Sequence, residues 1–297
     1  FSPLAESVSR LSASRPDLVV ISQGGNHDGV PWMEGCREHG LPYFVIAHQA
    51  SATDWPRDPV IEDMAHGYES AVRCFFVSRG NLDLTEAQIG LRLKNAEVVR
   101  NPHQANLRDP LAWPPAEKGF RLACVGRLYV KDKGQDVLLE VLARPKWKER
   151  SLSVSLVGTG QNEQSLRRLA RLLDLKQVNF MGHVEDITSV WRDHHALILP
   201  SRREGLPLTV VEAMMCGRPC IVTDVAGNTD VVEEGVTGFV AAAPTPILLD
   251  EAMERWALGA TVVGRVLVQL ARVPLPLAID ALGTGSARVP GERWGGL

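Results

Sequence analysis

Short apolar runs alternate with segments whose apolar positions recur every three to four residues, and the alternation persists through most of the chain. Runs rich in β-branched and aromatic residues at 18–22, 43–48, 74–78 and 97–100 predict strands, with helical periods between them at 32–39, 59–71 and 84–91. A stretch with four prolines and no apolar period follows, predicting a linker over 102–119. The pattern then restarts. Strands are predicted at 121–125, 153–157, 178–181, 196–199 and 220–223, with a short one at 238–241. Helices are predicted at 135–143, 164–173, 187–192, 208–216 and 247–258. Alternation of this kind is the signature of βαβ units on a parallel sheet. It predicts an α/β protein with a Rossmann-like domain over 120–260 and the remainder of a second one over 1–101.

The remaining ends change that picture. The chain starts at Phe1 and enters a helix-like segment directly, so the first domain is expected to be incomplete. Residues 261–297 have little amphipathic order and a run of Pro and Gly, and are expected to be an atypical, non-native tail.

Composition narrows the class. The 297 residues are 45% hydrophobic and 23% charged, as in globular proteins, and the net charge of −3 gives no reason to expect nucleic acid as partner. Peripheral membrane contact is not indicated either, and no stretch is long and apolar enough to span a bilayer. Five scattered cysteines suit neither a disulfide framework nor a zinc site, so reduced thiols and a cytoplasmic location are expected. No His, Cys and carboxylate cluster has metal-ligand spacing, so no metal and no bound cofactor are expected.

The most informative chemistry lies at 204–212. Glu204 falls in the loop after a predicted strand, and Glu212 falls about one turn into the following helix. The amides of Gly205 and Leu206 lie between them near the positive end of the helix dipole, where anions bind. Two hydroxyl-accepting carboxylates around an anion site suit a nucleotide-sugar. A second cluster, Gly126-Arg127-Leu128 with Lys133-Gly134, follows the first strand of the second domain. Its Arg and Lys can both reach a diphosphate; a solvated basic loop, with Lys131 beside them, is the alternative.

Gly158-Thr159-Gly160 lacks the third glycine and the ribose acid of a dinucleotide loop and predicts a tight strand-to-helix turn. Gly182-His183-Val184 forms a third strand-end loop, which could touch a base through its backbone. In the first domain His48 ends an apolar strand and is a candidate for the cleft, against the commoner satisfied core histidine. His27 lies in a similarly placed loop and could line the acceptor side. His194 and His195 precede a strand at its amino end and are expected to be structural.

Taken together, these residues resemble the GT-B family of retaining glycosyltransferases, family 4 (glycosyl transferases group 1). The resemblance is carried by Pro200-Ser201-Arg202-Arg203-Glu204-Gly205-Leu206-Pro207 and Val211-Glu212-Ala213-Met214-Met215-Cys216-Gly217-Arg218-Pro219, and continues through Thr223 to Asn228 and Glu234 to Phe239. The loops at Gly126, Gly158 and Gly182 fall in the family's order. The match is strong over 120–242 and loose in the first domain, chiefly at His48, Val77-Ser78 and 99–102.

The resemblance implies that the two Rossmann-like domains face a cleft. It also implies that Arg127 and Lys133 hold the donor diphosphate, Glu204 bonds the donor sugar with the Gly205 and Leu206 amides nearby, and Glu212 holds the ribose. Gly126, Gly182, His183 and Val184 would line the donor site, and His48 would approach the reacting centre. The implied catalytic set is His48, Arg127, Lys133 and Glu204. The implied reaction moves a sugar, with retention and without a metal, from a nucleotide-sugar co-substrate to an acceptor hydroxyl on a glycan, lipid or small molecule. Two features depart from the family: its Gly-rich loop after the first strand is absent, and its C-terminal crossover helix is not recognisable in 261–297. The alternatives are a truncated, non-catalytic nucleotide-sugar-binding fragment and, from the same fold, a sugar-nucleotide epimerase.

Overall fold

A computed structural model describes residues 11, 13–101, 110–117 and 119–262, with backbone only at 260–262. Two parallel sheets organise it. The first has four strands in the order β1-β2-β3-β4: β1 Val19–Gly25, β2 Tyr43–Gln49, β3 Arg73–Phe76 and β4 Ala96–Val98. Helices α1 Val30–Glu38, α2 Asp58–Ser70 and α3 Arg79–Ile89 connect them. Local chemistry sets these helices. Pro31 and Pro59 sit in the first turns of α1 and α2, where a missing N–H costs nothing. Ser78 caps α3 by accepting from the Asn81 amide, and Gly90 ends α3 in the left-handed conformation. The core of this unit is a cluster around Met33, Tyr43, Val45, Met64, Tyr68 and Phe76, all buried.

The second sheet has six strands: β5 Phe120–Val125, β6 Leu152–Val157, β7 Val178–Gly182, β8 Ala196–Leu199, β9 Cys220–Thr223 and β10 Gly238–Ala241. Their order is β10-β9-β8-β5-β6-β7, all parallel. This is the doubly wound order, in which the chain reverses direction across the sheet between β5 and β8. Helices α4 Val130–Lys133, α5 Gln135–Leu142, α6 Pro145–Glu149, α7 Glu163–Leu172, α8 Ile187–Asp193, α9 Leu208–Met215 and α10 Pro246–Val262 complete it. Strands β8 and β9 are buried along their whole length, as parallel strands covered on both faces must be. Their side chains alternate between two cores. Leu122, Cys124, Ala196, Ile198 and Ile221 face the α5 and α10 layer; Ala123, Leu197, Leu199 and Val222 face the α8 and α9 layer.

The differences from the sequence expectation are local. Strand β1 runs on to Gly25 rather than ending at Ser22, in register with β2. Lys133, placed by the sequence between the β5 strand and the helix at 135–143, is the last residue of the one-turn α4, and α5 begins after Gly134. The short strand at the end is a full parallel member of the sheet. Of the expected linker, 102–109 and 118 lie outside the described residues. Residues 111–113 pack onto the second unit, where Arg218 Nη2 donates to the Ala112 carbonyl at 2.7 Å and its guanidinium stacks on Trp113. The expected tail lies outside the described residues from 263 onward. No helix among the described residues is long and apolar enough to cross a membrane.

Candidate functional site

Three loops leave the carboxyl ends of β5, β6 and β8, and they lock onto one another through their backbones. The Leu128 amide donates to the Thr159 carbonyl at 2.9 Å, and the Arg202 and Arg203 amides both donate to the Asp132 carbonyl, at 2.7 and 3.0 Å. Gly134 has φ +62°, and a Cβ there would meet the Pro200 carbonyl oxygen at 2.0 Å. Only glycine lets the β5 loop approach the β8 loop so closely. The approach lies at the point where the strand order reverses, the crevice in which doubly wound sheets bind ligands.

Here Lys133 Nζ donates to Glu204 Oε1 at 2.7 Å, with the two side chains only 18% and 5% exposed. The same Glu204 oxygen accepts from the buried Ser201 hydroxyl at 2.6 Å. Ser201 in turn offers its carbonyl to the Thr223 hydroxyl at 2.6 Å, tying the loop to the end of β9. A cation and a carboxylate from two different strand ends thus meet in a nearly water-free position. Cys124, at the end of β5, feels both charges; burial pushes its thiol up to about 12, with Lys133 pulling down and Glu204 up, so it stays neutral. All five cysteines are free and buried.

The other expected residues take distinct places. Arg127 is three-quarters exposed, with Nη2 3.9 Å from Asp132 Oδ2, so its fork reaches into solvent at the mouth of the crevice. Lys131, beside it, is exposed. Glu212 is half-buried on the second turn of α9. The start of that helix has no side-chain cap, which leaves its first amides available to an anion. Gly126 has φ +155°, and a Cβ there would be in ordinary contact with the Lys133 methylenes, at 3.8 and 3.9 Å. Gly182, His183 and Val184 leave the carboxyl end of β7 at the sheet's edge. His183 is exposed, while Val184 packs on the α8 and α9 core.

The first sheet reaches this crevice through its own carboxyl ends. His48 is exposed at the end of β2, with Nε2 3.1 Å from the Ser22 hydroxyl. Its backbone carbonyl lies against Gly205, so close that a Cβ on Gly205 would meet that oxygen at 2.0 Å. The Gly205 carbonyl accepts from the Gly227 amide at 2.9 Å. His27 lines a small notch with Gly25, Gln49, Asp54 and Arg203, and its Nδ1 is buried without a partner. His194 and His195 are structural, as expected. His194 bonds the Val190 carbonyl and Ser155, and His195 Nδ1 accepts from the Arg121 amide at 3.0 Å. Among the described residues, no group of three or more His, Cys, Asp or Glu is placed to hold a metal ion.

Several residues that the sequence reading passed over support the site. Arg202 clasps Asp136 with both guanidinium nitrogens, at 2.6 and 2.9 Å. Arg203 bridges the two sheets through Asp54 at 2.9 Å. Asp230 accepts from the Arg79 amide at 2.6 Å, so a carboxylate of the second unit sits on the first turn of α3. Two basic residues directly before Glu204 were the visible signal for the first two contacts; the acidic partners lie 66 and 149 positions away and carry none.

Comparison with known proteins bears on the same elements. Residues 119–257 match the model of the glycosyl transferases group 1 family. A Haemophilus influenzae protein named as an uncharacterized glycosyltransferase is 32% identical over 169 residues, 53% of this chain and 45% of that protein. The putative glycosyltransferase EpsD of Bacillus subtilis is 33% identical over 153 residues, 51% of this chain and 39% of its own. The chain therefore spans less than half the length of these two relatives. Among solved structures, Anabaena HepE in complex with UDP superposes with a TM-score of 0.73 at 20% identity, covering 94% of this chain and 78% of that one. The apo lipopolysaccharide outer core galactosyltransferase WaaB gives 0.65 at 21% identity, covering 94% and 77%. The fold is therefore that of the GT-B glycosyltransferase structures on which the chain superposes.

Proposed function

We propose that this chain is a retaining glycosyltransferase of family 4, in which the second unit binds a nucleotide-sugar and the first presents an acceptor hydroxyl. The observation that carries the reading is the Lys133–Glu204 pair, held by two strand-end loops at the reversal point of the sheet. A buried cation bound to one carboxylate oxygen is ready to turn to a diphosphate. The carboxylate it leaves is then free to accept hydroxyls of the sugar. Arg127, exposed at the mouth, adds a second charge with bidentate geometry. The uncapped start of α9 and the Gly205 and Leu206 amides receive phosphate or sugar oxygens, and Glu212 takes the ribose. The Gly182, His183 and Val184 loop borders the base.

The chemistry needs no more than this. A glycosyl bond to a diphosphate is already activated, so the protein positions two substrates and stabilises charge on the leaving nucleotide. The His48 carbonyl lies against Gly205, the residue after Glu204, so the end of β2 meets the donor loop, which suits a group that approaches the reacting carbon from the acceptor side. Support for the donor class comes from the likeness in fold to HepE, solved with UDP and with UDP-glucose.

The test is calorimetric binding of UDP, GDP and ADP to the folded chain, beside release of nucleotide from their sugar conjugates. Binding by one nucleotide, lost in Glu212→Ala and Lys133→Ala, with turnover in the wild type, supports the reading. Binding of that kind with no turnover supports instead a nucleotide-sugar-binding fragment. A folded chain that binds none of the three defeats the donor site.

A further inference from the structure

Trp55 is the one aromatic among the large hydrophobic side chains that stand exposed in the described residues, and it is 55% exposed. Its position gives that exposure a use. It sits in the loop that follows β2, directly after Asp54, whose carboxylate reaches across the seam to Arg203 at 2.9 Å. The loop is fixed over the residues before the indole. The Ala50 amide donates to Asn81 Oδ1 at 2.8 Å, Gln88 Nε2 donates to the Ser51 carbonyl at 3.1 Å, and the Asp54 amide donates to the same carbonyl at 3.3 Å. Pro56 follows Trp55 and restricts its backbone to extended conformations. A large apolar plate is thus held in water on a braced loop at the cleft end of the first sheet.

Asp54, the residue before Trp55, lines a notch of about 20 Å³, room for one water, together with His27, Gln49, Ser51 and Arg203. His27, whose Nδ1 is buried without a hydrogen-bond partner, and Arg203, held by Asp54 at 2.9 Å and with Asp132 3.9 Å from its Nε, both line that notch. An exposed indole on a loop that lines a polar notch matches one ligand chemistry well. A pyranose has an apolar face of axial C–H bonds, which stacks on the electron-rich face of an aromatic ring, and a rim of hydroxyls that need hydrogen-bond partners. A lipid surface fits less well: Asp54 is paired with Arg203, and Arg57 is balanced by Asp58 at the start of α2, so no net positive charge is left here to draw an anionic bilayer.

We infer that Trp55 is the stacking platform for a sugar ring of the acceptor, and that the His27 and Arg203 notch receives one of its hydroxyls. The inference rests on the transferase reading and deepens it by naming the acceptor class as carbohydrate. Its test reads Trp55 directly. The full chain is prepared with 5-fluorotryptophan, and the Trp55 fluorine resonance is assigned as the one missing from Trp55→Phe. Methyl glycosides of glucose, galactose, mannose and N-acetylglucosamine are then titrated with UDP present and absent, followed by anionic phospholipid vesicles.

The expected result is a saturable shift of the Trp55 resonance with at least one glycoside. Trp55→Ala should weaken that binding by roughly ten-fold or more, the usual effect of truncating an aromatic anchor, while Trp55→Tyr keeps most of it. UDP affinity should stay within about two-fold of wild type in both variants, because the donor groups lie on the other sheet. No shift with any of these glycosides overturns the inference. So does a shift with vesicles alone, which assigns the indole to a lipid surface, or with UDP alone, which assigns it to the donor. Failure of UDP to bind, with the glycoside shift intact, strikes the donor reading and leaves the sugar platform standing.

Discussion

Replacing Lys133 with Met tests the centre of the site, because the change removes a charge and keeps most of the volume. In the wild type the ammonium is 2.7 Å from a Glu204 oxygen, and the two side chains are 18% and 5% exposed. Removing one partner of a fully buried pair costs about 3–5 kcal/mol, because the other charge is left uncompensated. Residual exposure on the lysine side and the Ser201 hydroxyl bond reduce that, so about 2–4 kcal/mol is expected here. At about 2–4 °C per kcal/mol for a chain of this size, the melting temperature should drop by roughly 4–16 °C. Glu204→Gln in the Lys133→Met background removes the stranded charge, so the double variant should recover at least about 1 kcal/mol relative to the sum of the singles. Denaturant unfolding followed by circular dichroism measures all four proteins. UDP calorimetry on the same samples should show Lys133→Met weakened about ten- to hundred-fold and Glu204→Gln little changed, since only the lysine is assigned to the diphosphate. A Lys133→Met protein within about 0.5 kcal/mol of wild type, or purely additive singles, would refute the energetic argument.

The remaining predictions use other parts of the molecule. Burial holds the His195 imidazole neutral down to about 4, against 6.5 for an ordinary histidine, so between those values the unfolded chain binds the extra proton. Stability should therefore fall as pH drops from 6.5 towards 4, by about 2–3 kcal/mol from this residue, and His195→Asn should flatten that part of a melting-temperature profile. Gly205→Ala places a Cβ 2.0 Å from the His48 carbonyl and should force the seam apart, seen as a larger radius in small-angle scattering. Arg218→Met strands the Trp191 and Ala112 carbonyls that the buried guanidinium serves, at 2.8 and 2.7 Å, and should cost about 2–4 kcal/mol in denaturant unfolding.

Elements were legible wherever periodicity and burial agree. The predicted strand at 196–199 coincides with β8 because a strand covered on both faces is apolar at every position, and nothing polar blurs its ends. Boundaries slipped where pairing rather than composition decides: Gln23 and Gly25 are poor strand residues, yet β2 holds them in register. The four-residue α4 is too short to show any period, so Lys133 could be assigned to the β5 loop but not to the end of a helix. At the site, Glu204, Glu212, Arg127 and Lys133 stood out because each sits at a strand end or helix start in a recognisable order. The bond between Lys133 and Glu204 did not, since 71 residues separate them and only the sheet's winding brings β5 beside β8.

The same winding explains why the first sheet can take part at all. Everything assigned to the donor leaves the carboxyl ends of β5, β7 and β8, or the helix that follows β8, so a ligand there presents its far side to the ends of β1 and β2. Glycine lines the seam between the two: Gly205 lies under the His48 carbonyl, Gly80 lies against the Ala226 carbonyl, and Gly227 lies against Ser78. With no side chains between them, the two backbones touch, and the groups on either side of the touch point, His48 and Glu204, are set by backbone rather than by flexible side chains. Two acidic contacts, Asp54 to Arg203 and Asp230 to the Arg79 amide, hold that arrangement with charges drawn one from each unit. Both are partly exposed and so individually weak and salt-sensitive. A seam made of close backbone contact and weak ion pairs combines precise geometry with little electrostatic energy holding it shut, which suits the two-substrate cleft of the proposed transferase.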